Sequence, residues 1–330
     1  MIRNFLKILS DFFLFLYEVF FFKLRRKNSK NSHYFMIKLF SLTGGISNDF
    51  ISFFVKKPKI SSNELFENKI NLKFDQNKII SELRENGFCV IENYLDDKLV
   101  DNILLQFKET KGFYLNQENK KKIYNFDFPE YVKFEYETKE ILSSEIINNI
   151  VFDKNLTNIS RYYLNAEPIL DLIAMWWSSK SMEASKDAAQ WWHYDMDRPK
   201  WLKFFIYLTD CDEDNGPHCI VKKTHRNLSL PWDIRKKGYA RIPDDKIFNH
   251  YNKKDIVEII AKRGTLLIED SRALHKGKKL SSGNRLMLQI QFSNSLFGGN
   301  YKKFTIDKED FDFTKIKKDN PYTYQLFDHE

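Results

Sequence analysis

His193 and Asp195, in the run Trp191-Trp192-His193-Tyr194-Asp195, are two metal-ligating side chains separated by one residue. In a β-strand alternate residues point to the same face, roughly 7 Å apart along the chain, so this imidazole and carboxylate would stand side by side. Alone, the pair reads equally well as a surface ion pair. A metal that activates dioxygen needs three protein ligands on one face and open positions opposite, and two histidines with one carboxylate supply this for non-haem Fe(II). The third ligand must come from another strand. His275, in the run Gly264 to Gly277 (GTLLIEDSRALHKG), is the best candidate.

Arg285 opens the next apolar run, Leu286 to Phe292. In a strand, Arg285, Met287, Gln289 and Gln291 face one way and Leu286, Leu288, Ile290 and Phe292 the other. A polar barrel interior backed by an apolar layer has this pattern. A guanidinium inside such a cavity would pair with a carboxylate, and the far carboxylate of a keto-diacid suits it. Lys203 is a second candidate for holding a carboxylate, if the face it shares with Trp201, Phe205 and Tyr207 points inward. An outward lysine at a strand edge is the competing placement. Gln190 and Trp192 flank the ligand pair as candidate pocket residues, and packing explains Trp192 equally well. His218, His225 and His250 sit in polar contexts read as loops and are not expected to bind metal.

The elements that position these residues follow from spacing. Asp75 to Asn86 has helical periodicity and stops at Gly87; Phe88 to Ile91 is a short apolar strand; Asp96 or Asp97 caps a helix carrying Leu99, Val100, Ile103, Leu104 and Phe107. Lys111 to Asn149 yields no assignment. Six short β-forming runs follow, at Leu172 to Trp177, His193 to Asp195, Trp201 to Thr209, Cys219 to Lys222, Gly264 to Ile268 and Leu286 to Phe292. Turn residues such as Asn215-Gly216-Pro217 separate them, which predicts a mainly β core with flanking helices, closed as a barrel or double-sheet jelly roll. No Gly-rich phosphate loop appears, so nucleotide chemistry is not expected.

With 330 residues, 42% of them hydrophobic, the chain can bury a large core. Its three cysteines lack CxxC spacing, which argues against a zinc site or a disulfide framework and for a reducing, cytoplasmic compartment. The net charge of +8 is spread along the length with acidic residues interleaved, so no nucleic-acid partner is expected. Residues Phe5 to Leu24 are long enough for a bilayer span but carry Lys7, Asp11 and Glu18 on one stripe. A wide apolar face around a narrow charged stripe fits a helix lying in a membrane interface, on the cytoplasmic face given Arg25-Arg26-Lys27; burial against the protein's own body is the alternative. Tyr34 to Val55, broken at Gly44-Gly45, reads as a helical hairpin or a continuation of the same anchor. The expected organisation is an apolar N-terminal extension (1–60), a catalytic domain (61–300) and a polar C-terminal tail (301–330).

The segments WWHYDMD, LTDCDEDNGPHCIVKKTHR, GTLLIEDSRALHKG and NRLMLQIQF, in this order, resemble the phytanoyl-CoA dioxygenase family of Fe(II)/2-oxoglutarate oxygenases. The lead-in Gly87 to Leu95 is similar too, so the resemblance covers about residues 75–298. It implies a double-stranded β-helix (jelly-roll, cupin-like), Fe(II) on His193, Asp195 and His275, 2-oxoglutarate on Arg285, and O2 as cosubstrate. Two positions depart from the family pattern. Gly277 stands where a small hydroxyl residue is usual, and Lys222-Lys223-Thr224-His225 replaces a PGSH turn. The implied activity is hydroxylation of an unactivated C–H bond in a small-molecule or lipid-like substrate. Asp195 leaves no vacant carboxylate position for chloride, which disfavours halogenation. A membrane-attached, non-catalytic binding or scaffold protein on the same barrel would be expected to have lost part of this set.

Overall fold

The computed structural model describes residues 2–58, 75–115, 117, 119–306 and 313–329. The polar stretch at 59–74, where most of the expected domain boundary falls, lies outside the described residues. The strands relevant to the site are β1 (Phe88–Ile91), β2 (Lys111–Tyr114), β3 (Lys122–Ile123), β4 (Lys133–Tyr136), β5 (Ile169–Ser179), β6 (Trp201–Tyr207), β7 (His218–Val221), β8 (Ile256–Ile259), β9 (Leu266–Glu269), β10 (His275–Gly277) and β11 (Asn284–Ser293). Eight of them form one sheet in the order β1-β9-β6-β11-β5-β4-β2-β3. A second sheet runs β10-β7-β8, and single bridges from His193 to His275 and from Trp192 to Ile242 extend it.

Two facing antiparallel sheets with crossovers are the double-stranded β-helix. Helix outweighs strand by residue count, 34% against 23%, so the mainly β expectation holds for the core rather than for the whole chain. β2 and β4 lie in the region left unassigned, where mixed charged and aromatic residues hide an edge of the large sheet.

Period-2 patterning explains why β11 sits in the middle of the large sheet. Leu286, Leu288, Ile290 and Phe292 are fully buried in the main core together with residues of the covering helices. Their neighbours Met287, Phe205 and Tyr207 belong to a separate cluster between the sheets, with Ile220 and Leu267. The helices α1 (Ile2–Arg25), α2 (Ser32–Thr43), α3 (Ile46–Ser52), α4 (Gln76–Asn86) and α5 (Asp97–Phe107) surround this framework. Asp75 caps α4 by accepting from Lys78 N–H, and Gly87 ends it at φ 91°, where a Cβ would come within 2.6 Å of His225 Nδ1.

The N-terminal segments brace the ligand-bearing chain from outside. Phe40 of α2 stacks on Tyr194 with ring centroids 5.7 Å apart, His33 Nε2 contacts Met196 O at 2.9 Å, and Asn48 donates to Pro199 O. Phe15 and Phe22 of α1 pack on Phe297. At the other end, the stretch expected to be a polar tail places Phe304, Ile306, Phe313, Tyr324, Leu326 and Phe327 in the main core. Aromatic residues spaced among lysines and aspartates conceal that apolar content from a composition count.

Between β9 and β10 the chain is held by Asp270. Its carboxylate accepts from Tyr163 Oη at 2.7 Å and from Arg272 Nε and Nη2, and it is fully buried. Burial alone would raise its pKa, but the charge and hydrogen bonds of Arg272 outweigh burial and lower it. Because the folded state lowers this pKa, the stabilisation is present above the ordinary carboxylate range and is lost as pH falls through it. Replacing Asp270 with Asn leaves the largely buried Arg272 without its carboxylate partner and is expected to cost about 3–5 kcal/mol at pH 7. Urea denaturation would show the deficit shrinking below about pH 4, as the carboxylate protonates first in the unfolded and then in the folded wild type; a deficit independent of pH would contradict the assignment.

Candidate metal centre

The second sheet brings His193 and His275 together as an antiparallel bridge with reciprocal N–H to O=C bonds of 2.9 Å. Asp195 is anchored on the same side by its N–H, which donates to Ser271 O. The run 192–195 is not the regular strand expected of it, because it pairs through isolated bridges to two different neighbours. The intended consequence of a strand survives: the three side chains are buried, and one ligand atom from each lies within 4.8 Å of the others. Asp195 Oδ1 is 3.8 Å from His193 Nε2, and Oδ2 is 3.7 Å from His275 Nε2.

Backbone carbonyls orient both rings. His193 Nδ1 lies 2.8 Å from Trp191 O, and His275 Nδ1 lies 2.9 Å from Ala273 O. A carbonyl only accepts, so each Nδ1 carries the proton and each Nε2 keeps its lone pair for the shared point. Burial, followed by the neighbouring His275, pushes the pKa of His193 well down; burial also lowers that of His275. Both rings are thus neutral and able to ligate. For Asp195, burial would raise the pKa, but the charge and hydrogen bond of the Lys203 ammonium outweigh it and hold the carboxylate well below its usual range.

Lys203 therefore faces inward, and its Nζ donates to Asp195 Oδ2 at 2.5 Å. The ammonium is engaged with a candidate metal ligand, and that contact keeps Asp195 charged. Gln190 is also buried, but its Oε1 accepts from Ser185 N–H at 2.7 Å, and it lines a cavity of about 530 Å³ with Trp191, Ile242 and Lys276. The structure thus places it next to the ligand run in sequence but gives it a loop-holding contact.

The large sheet supplies the opposite wall. Its inward rows pair Lys203 with Glu269 and with Gln291, and Met287 with Tyr207. Arg285 is buried, yet its Nε and Nη1 have no hydrogen-bond partner among the described residues, and the hydroxyl of Tyr207 has none either. A buried guanidinium without an anion is costly, so its fit is to an anion brought by a ligand. A dicarboxylate chelating a metal on the triad matches this donor set. Gly277 lies alongside, where an added Cβ would sit 3.6 Å from Arg285 Nη2.

Two inward groups escaped the sequence reading. His218 belongs to β7 rather than to a loop; it stacks on His275 at 5.5 Å, and its pKa falls to about 3 through burial, then the charges of Arg285 and Lys203. Glu269, fully buried, lies 3.5 Å from His275 Nδ1 and 2.8 Å from His218 Nε2, without hydrogen-bonding geometry to either, and burial raises its pKa to about 7. Alternation was the available signal, since His218 pairs in face with Ile220 and Glu269 with Leu267.

Two neutral imidazoles and one ionised carboxylate on the inner wall of a double-stranded β-helix define an Fe(II)- and 2-oxoglutarate-dependent oxygenase site. The phytanoyl-CoA dioxygenase family model matches residues 83–287, more than half of the chain, and the chain belongs to that family. No curated protein matches it. Among solved structures it is similar to the epimerase SnoN in complex with Fe3+, alpha ketoglutarate and nogalamycin RO, at 13% identity over 66% of this chain and 83% of that one (TM-score 0.46). HygX from Streptomyces hygroscopicus with nickel, 2-oxoglutarate and hygromycin B bound gives 15% identity over 71% and 91% (TM-score 0.47). The carbocyclase SnoK from nogalamycin biosynthesis gives 14% over 70% and 86% (TM-score 0.45).

Proposed function

We propose that the protein hydroxylates an unactivated C–H bond of a small organic molecule, with Fe(II) on His193, Asp195 and His275 and 2-oxoglutarate on Arg285. The observation that carries this reading is the juxtaposition of an intact triad with a buried guanidinium that lacks an anion. When bound, the iron and 2-oxoglutarate supply, with O2, an oxidant strong enough to take hydrogen from carbon, at the cost of oxidising the keto acid to succinate and CO2. The chain's own groups do the rest. Trp191 and Ala273 carbonyls fix both imidazoles, Lys203 keeps Asp195 ionised, and Arg285 with the Tyr207 hydroxyl orients the far carboxylate. A non-catalytic scaffold would have no need to keep Arg285 buried and unpaired. The reading is tested by incubating the aerobic protein with Fe(II) and 2-oxoglutarate and following succinate by NMR; slow succinate release is expected, and none over the no-enzyme control would count against it.

Gly277 provides a finer check. A serine there would be free of clashes, since the nearest heavy atoms to an added Cβ are 3.6 and 4.0 Å away. Its hydroxyl would add one hydrogen bond beside Arg285, so Gly277→Ser is expected to tighten 2-oxoglutarate binding about threefold to tenfold in a calorimetric titration. Unchanged or weaker binding would place the cosubstrate elsewhere.

The N-terminal helix suits a position on an anionic lipid surface. The acidic members of its charged stripe turn inward, with Asp11 paired to Lys38 at 2.7 Å and Glu18 accepting from Ser32 Oγ at 2.9 Å. Leu6, Leu9, Phe13, Tyr17, Phe20 and Leu24 are left exposed, an arrangement opposite to that of a water-facing helix. Lys7, Lys23, Arg25, Arg26 and Lys27 are exposed as well and would complement anionic headgroups, at about 1 kcal/mol per basic residue near the surface. No helix among the described residues is long and apolar enough to cross a membrane, so the helix would lie in the interface. Replacing both Phe13 and Phe20 with Glu is expected to reduce co-sedimentation with phosphatidylserine vesicles by at least tenfold; equal sedimentation of both proteins would remove the lipid surface.

A further inference from the structure

Arg241 is not part of the set proposed to hold metal and 2-oxoglutarate, yet it adjoins the residue that bridges the ligand-bearing run. Ile242 bridges Trp192 in antiparallel sense, its N–H donating to Trp192 O at 2.8 Å. Continuing that register by one residue puts Arg241 opposite His193, and by three puts Tyr239 opposite Asp195. Directly opposed residues of an antiparallel pair project to the same face, with Cβ atoms about 4.5–5.5 Å apart. The ring of Tyr239 supports the guanidinium, 5.4 Å from ring centroid to Cζ.

Arg241 forms no ion pair with a carboxylate among the described residues, and its Nη1 is sealed from solvent without a hydrogen-bond partner. Two guanidinium groups with unsatisfied nitrogens, Arg285 on the large sheet and Arg241 next to the bridge to Trp192, thus stand on the two walls that enclose the triad. One molecule of 2-oxoglutarate answers the Arg285 group through its far carboxylate. The other, on the ligand-bearing sheet beside His193, still lacks an anion.

We infer that Arg241 binds an oxyanion of the substrate itself, a carboxylate or a phosphate ester, and so anchors an anionic substrate over the metal with Tyr239 as its lateral wall. This rests on the oxygenase reading for the identity of the cavity, and it narrows the substrate from any small molecule to an acidic one. A guanidinium beside a cationic metal site repels a basic substrate and leaves a neutral one unable to satisfy Nη1. The anchor also fixes orientation, since a bidentate contact at one end of a molecule limits which carbon can approach the metal.

The test uses the full chain loaded with Ni(II) and saturating 2-oxoglutarate, which occupies Arg285 and prevents turnover. Inorganic phosphate and acetate are titrated in separate arms by calorimetry, on wild type, Arg241→Gln and Arg241→Lys. Wild type is expected to bind at least one of the two anions, and Arg241→Gln to weaken that binding about tenfold or more. Arg241→Lys, which keeps the charge but not the fork, is expected to fall between them. The tighter arm in wild type distinguishes a phosphate ester from a carboxylate. All three proteins are expected to bind 2-oxoglutarate equally, which separates this proposal from the oxygenase reading: loss of 2-oxoglutarate binding by the wild type would break that reading instead. No binding of either anion by the wild type, or equal binding by wild type and Arg241→Gln, would overturn the anchor.

Discussion

Replacing His275 with alanine is expected to lower Fe(II) affinity by more than the 10- to 100-fold that loss of a mere supporting contact costs a metal site, and to bring succinate formation to the no-enzyme level. The effect should be confined to the metal. His275 is joined to His193 through backbone bonds in both directions, and alanine keeps those bonds. Asp195 would keep its contact with Lys203, the cation that holds it ionised. The metal-free variant should therefore unfold near the wild-type denaturant midpoint while failing in a metal-competition assay. Fe(II) affinity within threefold of wild type would remove His275 from the ligand set and return the His193 and Asp195 pair to an ordinary buried ion pair.

The second large effect belongs to Arg285. Substitution by glutamine removes the cation that the keto acid's far carboxylate would meet, and charge-assisted hydrogen bonds of this kind are worth about 1.5–3 kcal/mol, or roughly 10- to 100-fold in affinity. Metal binding without 2-oxoglutarate should not change, because Arg285 stands on the large sheet and the ligands on the other. A further consequence distinguishes this site from a structural arginine. With Nε and Nη1 unpartnered in the free protein, removing the charge should leave the metal-free protein at least as stable as wild type, whereas loss of a structural arginine would destabilise it. Chemical denaturation and calorimetry on the same variant check both halves. Unchanged 2-oxoglutarate affinity together with lost stability would reassign Arg285 to the framework.

The site was legible where one side chain per strand carried its meaning. His193, Asp195 and His275 are recognisable by type, and β11 by a two-residue alternation that survives intact because both of its faces are covered. Lys203 was legible only as a pair of options, since a strand's alternation says which residues share a face and not which face is inside. Its contact with Asp195 depends on the two sheets closing over each other. Glu269, His218 and Arg241 were hidden for a related reason. Each is a charged or polar residue beside turns or acidic runs, and only tertiary placement buries it. Arg241 depends on a single bridge between Trp192 and Ile242, a long-range pairing that no local pattern encodes. The polar appearance of the last thirty residues misled in the opposite direction, because a few aromatic side chains among many charges are enough to dock on a core.

If the triad and Arg285 form one Fe(II)/2-oxoglutarate site, an anaerobic optical titration reads both of its halves at once. Addition of Fe(II) and then 2-oxoglutarate to the metal-free full chain should produce the weak visible charge-transfer absorption of a keto acid chelated to Fe(II), saturating at one equivalent of metal and missing in His275→Ala. A titration in which no such absorption develops, or in which His275→Ala develops it equally, would contradict the account.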